Sequence, residues 1–106
     1  MERNALGITH DYMRRLIKPG DRVIDATAGN GHDTLFLAEL VGEGGHVTAF
    51  DIQEKALEQT RLRLEGAGVS ERVTLVQDGH QNMKQYVTEP VRAVMFNFGY
   101  LPGGDH

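Results

Sequence analysis

Apolar residues recur along the chain at two spacings, and the alternation between them predicts the elements. Leu6, Tyr12, Met13, Leu16 and Ile17 fit one face of a leading helix, which stops at Lys18-Pro19-Gly20. RVIDA, residues 22–26, reads as a short buried strand. Residues 34–41 read as a helix with Phe36, Leu37, Leu40 and Val41 inward and Gly42 as its stop. HVTAFD, residues 46–51, is a second strand. Residues 53–65 form another helix, in which Ala56, Leu57, Thr60 and Leu64 share a face and which Gly66 and Gly68 end. Residues 72–76 are a third strand, residues 81–88 a weaker helix, and VRAVMFNF, residues 91–98, a fourth strand.

Strand and helix alternating through short links imply parallel strands joined by right-handed crossovers. The expected fold is α/β, half of a doubly wound parallel sheet with strand order 3-2-1-4. A ligand is expected at the carboxyl ends of the strands, near the switch point. Polar clusters fall at those ends: Asp25 to Gly31, Asp51, Asp78-Gly79-His80, and Asn97 to Tyr100. Four clusters on one rim say more than any one of them.

Composition narrows the classes. A chain of 106 residues makes one domain at most, spanning residues 1–106. It has no cysteine, which excludes disulfides, a thiol nucleophile and Cys-ligated zinc and fits a reducing cytoplasm. No apolar run approaches the ~18 residues of a membrane span, and the N-terminus is too charged for a signal peptide. The net charge of −4 argues against a broad non-specific nucleic-acid surface, although Arg3, Arg14, Arg15, Lys18 and Arg22 make the N-terminal segment basic. His10, His46 and His106 are scattered without metal-ligand spacing, so no metal site is expected.

The stretch DATAGNGHDT carries the chemistry. Gly29 and Gly31 flank Asn30 just before a helix start, where glycine allows positive φ and a close approach of backbone N–H groups to a ligand. The dinucleotide fingerprint G-x-G-x-x-G would place a third glycine where Thr34 stands. Asp25 precedes Gly29 by four residues, and a carboxylate there repels a pyrophosphate but suits a cation. S-adenosylmethionine carries both an ammonium and a sulfonium, so D-x-x-x-G-x-G fits it better than NAD. Asp51 is placed to accept ribose hydroxyls or to cap the following helix. Asp78 is placed to take an adenine amino group or to shape a turn.

On these motifs the chain resembles class I, Rossmann-like S-adenosylmethionine-dependent methyltransferases. DATAGNGHDTLFLA, VTAFDIQ, VQDGHQNM and NFGYLPGGDH are, more narrowly, similar to a small bacterial family named for rRNA methylation. Its members are understood to methylate tRNA at a wobble 5-aminomethyl-2-thiouridine. The resemblance implies that Asp25, Thr27, Gly29, Asn30 and Gly31 hold the methionine end of the cofactor, with Asp33 and Thr34 beneath it. It implies Asp51 and Ile52 on ribose and adenine, and Asp78, Gly79 and His80 around the adenine. Asn97 and Tyr100 would face the methyl group and the substrate as the catalytic pair. Asn97-Phe98-Gly99-Tyr100 parallels the Asn-Pro-Pro-Tyr motif of amino-group methyltransferases, with neither proline present. Tyr100 would stack on the uridine.

The superfamily sheet has seven strands, and only four are read here. The fourth, apolar on both faces, is therefore expected as an edge. Three accounts follow: a chain truncated after strand four, a second copy covering the edge as a homodimer, or a cofactor-binding module without full activity. The first is expected. The function expected is N-methylation on a tRNA wobble 2-thiouridine. An rRNA methyltransferase or a non-catalytic nucleotide-binding fragment are the alternatives, and a nicotinamide oxidoreductase is disfavoured by Thr34 and Asp25.

Overall fold

A computed structural model describes the backbone of residues 5–96 and 99–102 and the side chains of residues 10–96. Helix α1 (Ala5–Leu16) leads to β1 (Arg22–Asp25), α2 (His32–Val41), β2 (His46–Asp51) and α3 (Glu54–Ala67). A short 3-10 turn (Ser70–Arg72) precedes β3 (Val73–Gln77), and a 3-10 segment (His80–Gln85) separates β3 from β4 (Ala93–Phe96) and β5 (Gly99–Pro102). None of the described helices is long and apolar enough to cross a membrane.

The strands form one sheet in the order β3-β2-β1-β4-β5. β1 is parallel to both β2 and β4, and β2 is parallel to β3, so the expected 3-2-1-4 order is present. Val23 and Ile24 of β1 point to opposite faces and are both buried, as a central strand covered on both sides requires. One face packs Val23, Val47, Ala93 and Met95 against Met13 of α1, Leu37 and Val41 of α2, and Leu64 of α3. The other gathers Ile24, Phe50, Val91 and Val94 under Met83 and Val87 of the segment after β3. That second face carries less cover. A hollow of about 260 Å³ opens there between Arg22, His46, Thr48, Thr74 and Val91. Arg22 and His46 begin β1 and β2, so the hollow sits at the amino ends of the strands, away from the glycine loop.

Three expectations are corrected. β4 is not an edge: β5 runs antiparallel along it, pairing Phe96 with Gly99 and Met95 with Tyr100. The pairing satisfies backbone groups that a bare apolar edge would leave open. The weak helix at 81–88 is a 3-10 segment, with Asn82 outside helical geometry at φ −101° and ψ 15°. Asn82 and Tyr86 donate from their side chains to Asp78, a local arrangement that competes with a regular helix. Tyr12 is 56% exposed, whereas Met13 and Ile17 are buried. A helical step of about 100° separates neighbouring residues, so Met13 and Ile17 at i and i+4 claim the inward face and turn Tyr12 away.

Candidate functional site

The site is built on the carboxyl end of β1, where Asp25 lies between Ala49 of β2 and Met95 of β4. The chain leaves β1 stitched to both neighbours. The Ala26 N–H donates to the Met95 carbonyl at 2.8 Å, and the Ala28 N–H to the Phe50 carbonyl at 2.8 Å. The glycine loop is thereby laid across the strand ends before α2 begins.

Asp25 is 1% exposed. Its carboxylate accepts from the Thr34 hydroxyl at 2.6 Å and from the Thr27 N–H at 3.1 Å. Burial pushes its pKa from 3.8 up to about 7; the two donors pull the other way, and the charges of Asp33 and Asp51 add to the rise. Gly29 and Gly31 both have positive φ, 57° and 92°. At Gly31 even the space is reserved, because a Cβ there would lie 2.9 Å from the Thr60 Cα of α3.

Asp51 ties the loop to the second strand. One oxygen accepts from the Gly29 N–H at 3.0 Å and the other from the Gln53 N–H at 2.9 Å. It thus shapes the entry to α3 while standing at the strand end where a ribose acceptor was expected, and each oxygen keeps a second lone pair. Ile52 beside it is 69% exposed, an apolar surface at the rim. Asn30 accepts through its side-chain oxygen from the His32 N–H at 3.2 Å, at the first turn of α2.

Thr27, Gly29, Asn30, Gly31 and Asp33 therefore follow one another along a single loop and helix start, Asp25 and Thr34 are buried beneath it, and Asp51, with Ile52 beside it, is tied to it through Gly29. Asp78 is differently employed. Its carboxylate accepts from Tyr86 Oη at 2.7 Å, Asn82 Nδ2 at 2.9 Å and the Gly79 N–H at 2.7 Å. Those donors, Tyr86 first, hold its carboxyl below the usual range. The turn reading fits these contacts. Gly79 and His80 follow directly, with the His80 ring edge-on to Phe96 at 5.1 Å. Asn97 lies outside the described residues, and Tyr100 enters β5 opposite Met95, where the chain already runs back along the sheet.

Three participants were missed in the sequence. His10 of α1 reaches Asp33 with Nε2 at 2.9 Å and stacks on Phe36 at 4.0 Å. Its spacing of three and seven residues from Met13 and Ile17 marks it as inward-facing. Thr60 donates to the Gly29 carbonyl at 3.2 Å, and Arg63 Nε to the Asn30 carbonyl at 2.9 Å. A threonine on the apolar stripe of Leu57 and Leu64 was the signal for that contact.

Known proteins share this architecture. The structure is similar to the crystal structure of a "putative rRNA-methylase" from Clostridium thermocellum, with 54% identity and a TM-score of 0.89 over 91% of this chain and 54% of that one. It is similar to a "putative methyltransferase" from Streptococcus mutans solved in complex with SAH (S-adenosylhomocysteine), at 42% identity and a TM-score of 0.82 over 91% of this chain and 52% of that one. In sequence it is 42% identical to the chloroplastic tRNA (mnm(5)s(2)U34)-methyltransferase of Arabidopsis thaliana, over 97% of this chain and 41% of that protein. The chain thus spans about half the length of these relatives. The family described as "Putative rRNA methylase" matches residues 47–106, from β2 to the end of the sequence. On that match, which covers more than half of the chain, the chain belongs to the family described as "Putative rRNA methylase".

Proposed function

We propose that this chain forms the cofactor-binding part of an S-adenosylmethionine-dependent RNA methyltransferase acting on an aminomethyl group of a tRNA wobble 2-thiouridine. The observation that carries the reading is the placement of acids around the glycine loop: Asp25 is buried at the end of β1 with Thr34 and Thr27 donating to it, and Asp51 at the end of β2 accepts from the Gly29 N–H. Carboxyl groups at the ends of β1 and β2 suit a cationic ligand and oppose a pyrophosphate. The same observation disfavours a nicotinamide dinucleotide. The SAH-bound Streptococcus mutans relative supports the cofactor, and the name of the Arabidopsis thaliana relative supports the nucleotide.

When bound, S-adenosylmethionine supplies an electrophilic methyl group that an unprotonated amine displaces from sulfur. Asp25, fixed by Thr34 and Thr27, would face the cationic amino-acid end. Thr27, Gly29, Asn30 and Gly31 would hold that end, with Asp33 and Thr34 beneath. Asp51 would accept ribose hydroxyls beside Ile52, and Asp78, Gly79 and His80 would border the adenine. Asn97 would accept from the substrate N–H so that the lone pair points at the methyl carbon, and Tyr100 would stack on the base. The family's own name and a ribosomal RNA small subunit methyltransferase of Alkaliphilus metalliredigens, 36% identical over 86 residues, support rRNA as the second reading.

Calorimetric titration with S-adenosylhomocysteine and with NADH tests the cofactor, with saturable binding of the former alone expected. Binding of NADH alone would sink the proposal. Transfer of labelled methyl to hypomodified tRNA but not to rRNA is the outcome expected for the substrate. Where turnover is measurable, Asp51→Ala should raise the KM for cofactor, whereas Asn97→Ala should lower kcat. An unchanged kcat for Asn97→Ala at saturating cofactor and RNA removes Asn97 from its role.

A further inference from the structure

We infer that Thr60 and Arg63 of α3 are positioning residues that hold the glycine loop in its ligand-binding shape. The inference rests on the reading of the rim as an S-adenosylmethionine site. Thr60 is fully buried, at a helix position where an apolar residue would cost less to bury than a hydroxyl. Its hydroxyl donates to the Gly29 carbonyl at 3.2 Å, and Arg63, three residues on and on the same helix face, donates Nε to the Asn30 carbonyl at 2.9 Å. The missing Cβ of Gly31 lets α3 come this close.

These contacts decide where the loop's own donors point. In a trans peptide the carbonyl and the N–H project in opposite directions. Anchoring the Gly29 carbonyl on Thr60 therefore turns the Asn30 N–H away from α3. Anchoring the Asn30 carbonyl on Arg63 turns the Gly31 N–H away likewise, and there it donates to the Ala28 carbonyl at 2.9 Å. The Asn30 N–H has no acceptor among the described residues. It is the donor that the braced loop offers to the carboxylate of the amino-acid end of the ligand. Affinity falls by the fraction of loops out of this shape, so both braces act on one equilibrium.

The test compares the parent chain with T60V, which keeps the shape of Thr60 and loses the hydroxyl, with T60S, which keeps the hydroxyl, with R63Q, and with the T60V/R63Q pair. Two quantities are read: hydrogen exchange of the Gly31 amide without ligand, and affinity for S-adenosylhomocysteine. The double variant should exchange faster at Gly31 while β1 amides stay unchanged, and should bind roughly tenfold more weakly. T60S should resemble the parent. Unchanged exchange and affinity in the double variant, or T60S as impaired as T60V, would overturn the brace. Faster exchange in a series whose parent does not bind S-adenosylhomocysteine would instead overturn the cofactor assignment, with the brace standing.

Discussion

Asp25 concentrates the chemistry of the rim in one titration. Its folded pKa, about 7, lies above its ordinary value of 3.8. The folded state therefore binds the proton more tightly than the unfolded chain does. The stability from this group is complete below about pH 4 and is lost as pH rises through about 7. Asp25→Asn removes that loss, so the variant should gain on the parent by roughly 2–4 kcal/mol between about pH 4 and about pH 8. Denaturant unfolding at both pH values measures it, and an equal difference at the two would refute the buried titration. A cationic ligand should favour the ionised form, so binding near neutral pH should release protons and give a heat that varies with buffer. At Gly31 the constraint is steric. Gly31→Ala combines positive φ with a Cβ 2.9 Å from Thr60 and should cost about 2–3 kcal/mol, against roughly 1 for Gly29→Ala, where a Cβ meets nothing. Equal costs in denaturant unfolding would mean that the loop shifts to admit the methyl. The acid and both glycines were legible as a motif. The raised pKa was not, because burial is contributed by strands and helices distant in sequence.

Among the elements, α1 shows most clearly what a one-dimensional pattern omits. Its helical spacing and its stop at Pro19 are plain in the sequence, yet its purpose lies in α2. His10 couples to Asp33 and lies flat on Phe36, and Arg14 stands 5.2 Å over the same ring. The helix is thereby fastened beside the first turn of α2, where the glycine loop ends. Two anchors of different strength result. Met13 is fully buried, so Met13→Ala should cost about 2–4 kcal/mol through lost contacts and the cavity left behind. His10→Phe keeps an aromatic on Phe36 and loses only the bond to Asp33, and should cost about 1 kcal/mol. Thermal or denaturant unfolding of the two variants ranks them, and a larger loss for His10→Phe would make the polar contact the principal anchor. No periodicity could have paired His10 with Asp33, since the pairing depends on how two helices cross.

At the level of the whole molecule, the alternation of strands and helices was enough to order the sheet. Short links leave few topologies for parallel strands, and β1 duly lies between β2 and β4. β5 escaped notice because Asn97 to Tyr100 reads as a polar cluster closing strand four, and the four residues Gly99–Pro102 are too few to leave a periodic trace. Its backbone matters for Tyr100, which stands opposite Met95 rather than in a loop beyond the strand end. The unequal clothing of the sheet adds a dynamic consequence. β1 is paired on both sides and buried on both faces, whereas β3 is paired, among the described residues, with β2 alone, and Thr74 and Gln77 are exposed. Local opening should therefore begin at β3, under the thinner second face, and reach β1 only with global unfolding. Hydrogen exchange should find Val23, Ile24 and Asp25 among the slowest amides and those of Val73–Gln77 faster. If β3 exchanged as slowly as β1, opening would be a single event across the sheet, and the glycine loop would share its stability. In the expected order, the rim stands on the most stable strand and is flanked by a more mobile one. The Asp25 end of the site would then stay formed without ligand, while the Asp78 end is the part a ligand would have to steady.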